Sequence, residues 1–167
     1  MVPKVDVIGV LVNPNYGAID AQLHDVQEAA GRLGLQLVIV RANVESEFET
    51  AFSTIAAQHA GALLVCASPF FYSRRQQLVV LTSRNGLPAI FEWRDFAAAG
   101  GLMSYGTSLS NAYRQAGMYA GQILKGAKPS DLPIVESTKL VINLATAKAL
   151  HIDVPPTLSA RADEFIE

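Results

Sequence analysis

FEWRDFAAAGGLMSYG, Phe91 to Gly106, joins an acidic residue, a Trp and an Arg to an Ala/Gly-rich run and ends in a short apolar strand. The apolar run Leu87-Pro88-Ala89-Ile90-Phe91 comes just before Glu92. That order places the Glu92 carboxylate at the carboxyl end of a strand. In an open parallel sheet, ligands bind at that edge.

Upstream of this stretch, short apolar runs alternate with helical periods. A first strand is expected at about Val5 to Val12. A helix follows with Ile19, Leu23, Val26, Ala30 and Leu33 on one face, and Gly34 is a fitting stop. The second strand is Leu35 to Val40. The second helix starts near Ser46, where Ser46 and Glu49 make a capping-box pattern, and its face is Phe48, Phe52, Ile55 and His59. The third strand is Ala62 to Ala67. A third helix is expected from Ser73, with Gln76 completing a second capping-box pattern, and it stops at Asn85-Gly86. The fourth strand is Pro88 to Phe91. Four strands separated by three helices predict parallel pairing through right-handed crossovers. Their near-continuous apolar character fits a sheet covered on both faces.

Downstream, a helical turn at Trp93 to Ala98 and a strand at Leu102 to Tyr105 come next. The last third reads as a separate unit. A helix from Ser108 to Lys125 carries Leu109, Tyr113, Ala116, Ala120 and Ile123 at helical spacing. Lys139 to Leu144 reads as a strand, and Thr146 to Leu150 and Leu158 to Ile166 as short helices. The expected division is 1–100 for the α/β lobe and 101–167 for the crossover and C-terminal segment.

At 167 residues, the chain is long enough to bury a real core. Half of it is hydrophobic and 17% charged, as in a globular protein. The net charge of −2 comes from scattered charges of both signs, without the clustered Lys and Arg of a nucleic-acid footprint. No apolar run reaches a membrane span. Met1-Val2-Pro3-Lys4-Val5-Asp6 lacks the apolar core of a secretory signal, so read literally the chain stays in the cytoplasm. The lone Cys66 sits in an apolar run and reads as a packed small hydrophobe.

Three loops at strand ends carry the candidate ligand contacts. Asn13-Pro14-Asn15 is a turn sequence whose amides offer donors and acceptors. Ser68-Pro69-Phe70-Phe71-Tyr72 holds three consecutive aromatics, which a loop without helical period cannot all turn to one core. A Phe left in water forgoes roughly 1.5–3 kcal/mol of burial, so at least one ring is expected to line a cleft or a partner surface; the alternative is that two rings are core and one is capped by Arg74 or Arg75. Glu92 offers a carboxylate to a ligand ammonium; its alternatives are a helix N-terminal charge or a partner for Arg94. Trp93 is expected to pack below it. Ser104 and Tyr105 lie at the crossover within reach of the cleft. The ligand-binding set is therefore Asn13, Asn15, Ser68, Phe70, Phe71, Glu92 and Tyr105.

Templates for catalysis are missing. His24, His59 and His151 have no Cys, Asp or Glu at metal-ligand spacing. Gly-x-Ser-x-Gly is absent, as is the dinucleotide fingerprint after the first strand. Gly121 to Lys128 lacks the Gly-Lys-Ser/Thr ending of a phosphate loop and closes a helix. The reading is of a protein that is no enzyme and has neither cofactor nor metal.

Five segments resemble one family in the right order: Val7 to Asn15, Ser68 to Arg75, Phe91 to Gly106, Ile123 to Pro133, and Val141 to Leu144 with Pro155 to Glu164. They are similar to the ABC-transporter substrate-binding proteins of the tryptophan-binding-protein type, which have a two-lobed type I periplasmic-binding fold. The resemblance implies the second lobe of that fold, a doubly wound parallel sheet, plus a returning first-lobe segment that crosses near Gly100-Gly101. Family members are roughly twice this length, in keeping with two ordinary domains. The implied function is capture of a small solute, such as an aromatic amino acid, between two lobes for delivery to an ABC permease. The implied location is the periplasm, and a fragment reconciles that with the missing signal. Without a first lobe, the Ser108–Lys125 helix and the Lys139–Leu144 strand must fold back or pair with another copy, which favours a homodimer. Two rivals share the architecture: the effector-binding domain of a transcription regulator, and a small flavodoxin-like enzyme.

Overall fold

A computed structural model describes residues 5–133 and 138–167. Seven strands form one sheet in the order β2-β1-β3-β4-β5-β6-β7. They are β1 (Val7–Val12), β2 (Gln36–Arg41), β3 (Ala62–Val65), β4 (Ala89–Phe91), β5 (Met103–Thr107), β6 (Thr138–Asn143) and β7 (Glu164–Ile166). The first five strands pair in parallel, as their alternation with helices predicts. β6 runs antiparallel to β5, and β7 is parallel to β6.

The strand order dictates which face each helix covers. The step from β1 to β2 runs outward, and all steps from β2 to β5 run the other way. Crossovers share one hand, so α1 (Ile19–Leu33) lies on one face. The opposite face takes α2 (Glu47–Ala57), α3 (Pro69–Ser73), α4 (Arg75–Arg84) and α5 (Arg94–Ala98). Strand alternation sorts the side chains accordingly. Leu11 joins Phe48, Phe52, Ile55, Phe71, Phe91 and Phe96 in the large core. Its neighbours Val10 and Val12 turn the other way and pack with Ile19, Leu23 and Val26 of α1. α1 reaches only part of its face, and Leu64 of β3, Ile90 of β4 and Tyr105 of β5 border an open cavity there.

Gly34 closes α1 with φ +68°, a left-handed conformation that suits glycine, and the Leu35 amide bonds the Ala30 carbonyl at 3.0 Å. Leu33, expected on the buried stripe, is 71% exposed as the last residue of α1. Ser46 precedes α2 without a side-chain cap bond. The capping carboxylate is Glu47, which accepts from the amides of Asn43 (2.7 Å) and Val44 (3.3 Å). The expected Ser73 helix start is also displaced. Ser68 caps α3 with Pro69 in its first turn, so the three aromatics lie on a short helix and not in a loop.

The last third belongs to the same sheet. β6 is buried from Leu140 to Asn143. The Asn143 amide donates to the Ala97 carbonyl at 3.0 Å, and Thr146 Oγ1 to that of Gly100 at 2.8 Å. Between β6 and β7 lie α7 (Leu144–Ala149) and α8 (Pro156–Ser159). The helix expected over Leu158 to Ile166 is therefore α8 followed by β7. Its alternation at the end, Glu164-Phe165-Ile166, extends the sheet edge, and Arg94 clamps it through a two-pronged pair with Glu164 whose Nε–Oε2 distance is 2.8 Å. The long helix, α6 (Leu109–Leu124), buries none of its residues.

Candidate functional site

The carboxyl edge of the parallel strands gathers Asn13, Ser68 and Glu92, as expected from their places after β1, β3 and β4. Two of them are joined directly. Asn13 Nδ2 donates to Ser68 Oγ at 2.9 Å, and both side chains are buried. Asn13 Oδ1 accepts from the Asn15 amide at 2.9 Å, closing the turn. Ser68 Oγ also accepts from the Phe70 amide at 3.2 Å, which starts α3. These polar groups thus hold the two loops together at the rim, while the Asn15 side chain is exposed.

The aromatics divide by depth. Phe71 is fully enclosed in the core and does not reach a cavity in this structure. Phe70 is half-buried and stacks on Phe48, with ring centroids 5.6 Å apart. Tyr72 meets Trp93 edge-on at 5.2 Å. Trp93 lies along Phe96 on the large-core side, while Glu92 faces the α1 side, so Trp93 does not pack beneath the carboxylate.

Glu92 opens onto a cavity of about 680 Å³. α1 forms one wall with Gln22, Val26 and Ala29. The sheet forms the floor with Leu64, Cys66 and Ile90, and Tyr105 of β5 stands at the far side, 57% exposed. The lining is mainly apolar; Gln22, Asp25 and Glu92 are its polar side chains besides the Tyr105 hydroxyl, and two of them carry buried, unpaired oxygens. Glu92 Oε2 is buried and has no hydrogen-bond partner among the described residues. Gln22 donates through Nε2 to the Ala67 carbonyl at 3.2 Å, which leaves its buried Oε1 unpaired. Burial pushes the Glu92 carboxyl above the usual range for Glu. Burial, with the Glu92 charge second, pushes the Cys66 thiol up to about 11. Cys66 is thus a packed, protonated thiol.

The cavity therefore offers two unsatisfied acceptors at the mouth of an apolar trough. Unpaired buried acceptors are costly, and a ligand carrying N–H or O–H donors beside an apolar body would satisfy them. Of the residues expected from the sequence, Glu92 and Tyr105 share this cavity, and Asn13, Asn15 and Ser68 form the adjoining rim. Gln22 was missed. Its signal was visible: an amide at the i+3 position from Ile19, on the apolar stripe of α1. Ser104 is buried with an unpaired hydroxyl on the other side of β5. Among the described residues, no His, Cys, Asp or Glu cluster is placed to hold a metal ion, and no helix is long and apolar enough to cross a membrane.

A search of curated proteins finds no match. Solved structures do match. A conserved domain protein from Vibrio cholerae superposes with a TM-score of 0.82 at 24% identity, covering 98% of this chain and 55% of its own. An ABC domain in complex with L-Trp from Streptococcus pneumonia gives 0.83 at 23%, covering 98% and 56%. The ligand-free, open structure of CD0873, a substrate binding protein with adhesive properties from Clostridium difficile, gives 0.75 at 22%, covering 99% and 56%. The chain spans little more than half the length of these proteins, and they share its fold. Over residues 1–166 the sequence matches the family model described as ABC transporter substrate binding protein, and the chain belongs to that family.

Proposed function

We propose that this chain supplies one wall of a solute-binding site for an ABC importer. The site takes a small amino-bearing molecule with an apolar or aromatic body. The observation that carries this reading is the buried, unpaired Glu92 carboxylate at the strand edge, above an apolar trough. A ligand ammonium would donate to Glu92, a second donor would reach Gln22 Oε1, and the apolar body would lie along Leu64 and Ile90. Family membership supports delivery to a membrane permease and a location outside the cytoplasmic membrane, and it favours binding over catalysis. The L-Trp held by the Streptococcus relative supports an aromatic amino acid as the first compound to test.

Calorimetry with L-tryptophan and with indole-3-propionate tests the reading, since the second compound keeps the ring and lacks the ammonium. Weak binding of the amino acid is expected, because a site of this kind encloses its ligand from both sides and one lobe provides one wall. Binding should be lost in Glu92→Gln and absent for the propionate. Equal binding of both compounds, or no effect of Glu92→Gln, would remove the assigned role of Glu92.

We also propose that the chain self-associates. Among the described residues, Leu109, Tyr113 and Ile123 of the α6 stripe are exposed, and a second copy is one surface that could cover them.

A further inference from the structure

β5 turns its two faces to different spaces. Tyr105 borders the ligand cavity. Ser104, on the opposite face, lies at the floor of a separate pocket of about 180 Å³. Strand pairing sets the floor out in rows. Ser104 is opposite Val141 of β6, and Val141 is opposite Glu164 of β7. One row further along, Gly106 is opposite Lys139. Residues paired in this way share a face of the sheet. Arg94, at the start of α5, closes one side of the pocket, and the first turn of α6 closes another.

The pocket holds a polar group with nothing to bond. Ser104 is 1% exposed, and its Oγ has no hydrogen-bond partner among the described residues. The strands and α5 themselves enclose it, so its missing partner does not depend on an uncovered surface. A hydroxyl carries a hydrogen that turns toward any acceptor in reach, and leaving it buried and unbonded is costly.

The rest of the lining says what would bond it. α6 is 16 residues long, and the Ala112 amide bonds the Ser108 carbonyl to begin its ladder. Ser108 Oγ takes the Asn111 amide at 3.4 Å. The Leu109 and Ser110 amides come before both bonds and carry the positive end of the helix dipole. Two cations stand beside them. Arg94 is paired with Glu164, and Lys139 acts on the same carboxylate: the hydrogen bond from Arg94, with the charges of Arg94 and Lys139, holds the Glu164 carboxyl below the usual range. Among the residues lining the pocket, two cations thus face one carboxylate. A cation would be repelled here, whereas an anion suits a helix start of this kind. The donors also come from several directions: the floor, β6 and α6. A planar carboxylate offers its two oxygens on one side, but a tetrahedral oxyanion offers acceptors all round.

We propose that this pocket binds a small tetrahedral oxyanion of the phosphate or sulfate kind, with Ser104 and the first-turn amides of α6 donating to it and Lys139 supplying the countercharge. The site lies on the opposite face of β5 from the Glu92 cavity and stands apart from solute capture.

Two-dimensional amide NMR spectra of the 167-residue chain test the proposal. Sodium sulfate and sodium phosphate are titrated against sodium chloride at equal ionic strength, which separates binding from screening. Either oxyanion should shift the Ser104, Leu109 and Ser110 amides saturably, and chloride should not. Ser104→Ala should weaken binding about tenfold, the loss of a hydrogen bond to a charged group. Lys139→Gln should weaken it about threefold to fivefold, as for a partly exposed ion pair. Unmoved resonances from β1 to β3 show that Ser104→Ala keeps its fold, and Lys139→Gln carries the same test should it not. Shifts that chloride reproduces, oxyanion shifts confined to other parts of the surface, or an affinity unchanged in either folded variant would overturn the site and leave Ser104 Oγ to a buried water.

Discussion

Glu92 ends β4 with one carboxylate oxygen buried and unpaired, and burial holds its pKa above the ordinary Glu value of 4.5. The protonated form is therefore favoured in the fold. Its contribution to stability is complete below the ordinary value and is lost as the pH rises through the raised one. Glu92→Gln removes the charge and keeps the shape, so above that window the variant is expected to be more stable than the parent while binding less ligand. Thermal melts of both proteins at pH 4 and pH 8 check this, and a variant destabilised at pH 8 would count against a buried charge. Ligand binding should follow the opposite course, weakening as the pH falls through the raised pKa and protonates the acceptor. Ser68 has another part at the same edge. Its Oγ accepts from Asn13 and from the Phe70 amide. Ser68→Ala should cost about 1–2 kcal/mol in denaturant unfolding, the loss of a cap with a buried partner left unpaired. The strand-end places of Ser68 and Glu92 were legible because each follows an apolar run that reads as a strand. Which way each side chain turned was not legible. It depends on register within the sheet, and a shift of one residue reverses the face.

The elements read from the sequence succeed where one strong pattern acts alone. β1 to β4 follow from apolar runs, and α1 from its stripe and the Gly34 stop. They fail where two signals overlap. Ser-Pro-Phe-Phe-Tyr shows no period over five residues and so suggests a loop, yet Ser68 and Pro69 are a helix start in themselves. Leu158 to Ile166 mixes a helical turn with a three-residue strand, and helical spacing averaged over both hides the change. The approach of β4 to β5 was not visible at all. A Cβ at Gly106 would stand 2.3 Å from the Glu92 carbonyl oxygen and 2.8 Å from its Cγ. Backbone cannot yield as a flexible side chain can, so β5 must move away from the end of β4. Gly106→Ala is expected to destabilise by about 1–3 kcal/mol, the usual range for overpacking, and to disturb Glu92 as well. Denaturant unfolding measures the first effect and the ligand titration the second. A stable variant with unchanged binding would mean that this strand contact opens freely.

The whole molecule raises the question of whether 1–100 and 101–167 are separate units. The resemblance to a two-lobed family suggests a boundary at Gly100-Gly101, where a chain would cross between lobes. Several bonds cross that line. β5 extends the parallel sheet beyond β4, and β6 adds the buried Leu140, Val141 and Ile142. Asn143 and Thr146 tie β6 and α7 to the carbonyls of Ala97 and Gly100, and Arg94 is paired with Glu164. α6, by contrast, contributes no buried side chain. We therefore propose that the sheet folds as one cooperative unit from β1 to β7, with α6 coupled to it only through its ends. Trp93, the single tryptophan, packs against Tyr72 and Phe96 and reports on the first segment. Far-ultraviolet circular dichroism reports on all helices. In guanidinium the fluorescence and dichroism transitions should coincide, apart from early loss of helical signal from α6. Residues 1–100 alone should not show that transition, because removing β5 and β6 exposes one side of β4 and uncovers Phe96 and Ala97. Asn143→Ala should lower the midpoint of both signals together. Two separated transitions, or a stable and cooperative 1–100 fragment, would show that the boundary at Gly100-Gly101 divides the fold energetically, and that the bonds across it are surface contacts between two independent halves.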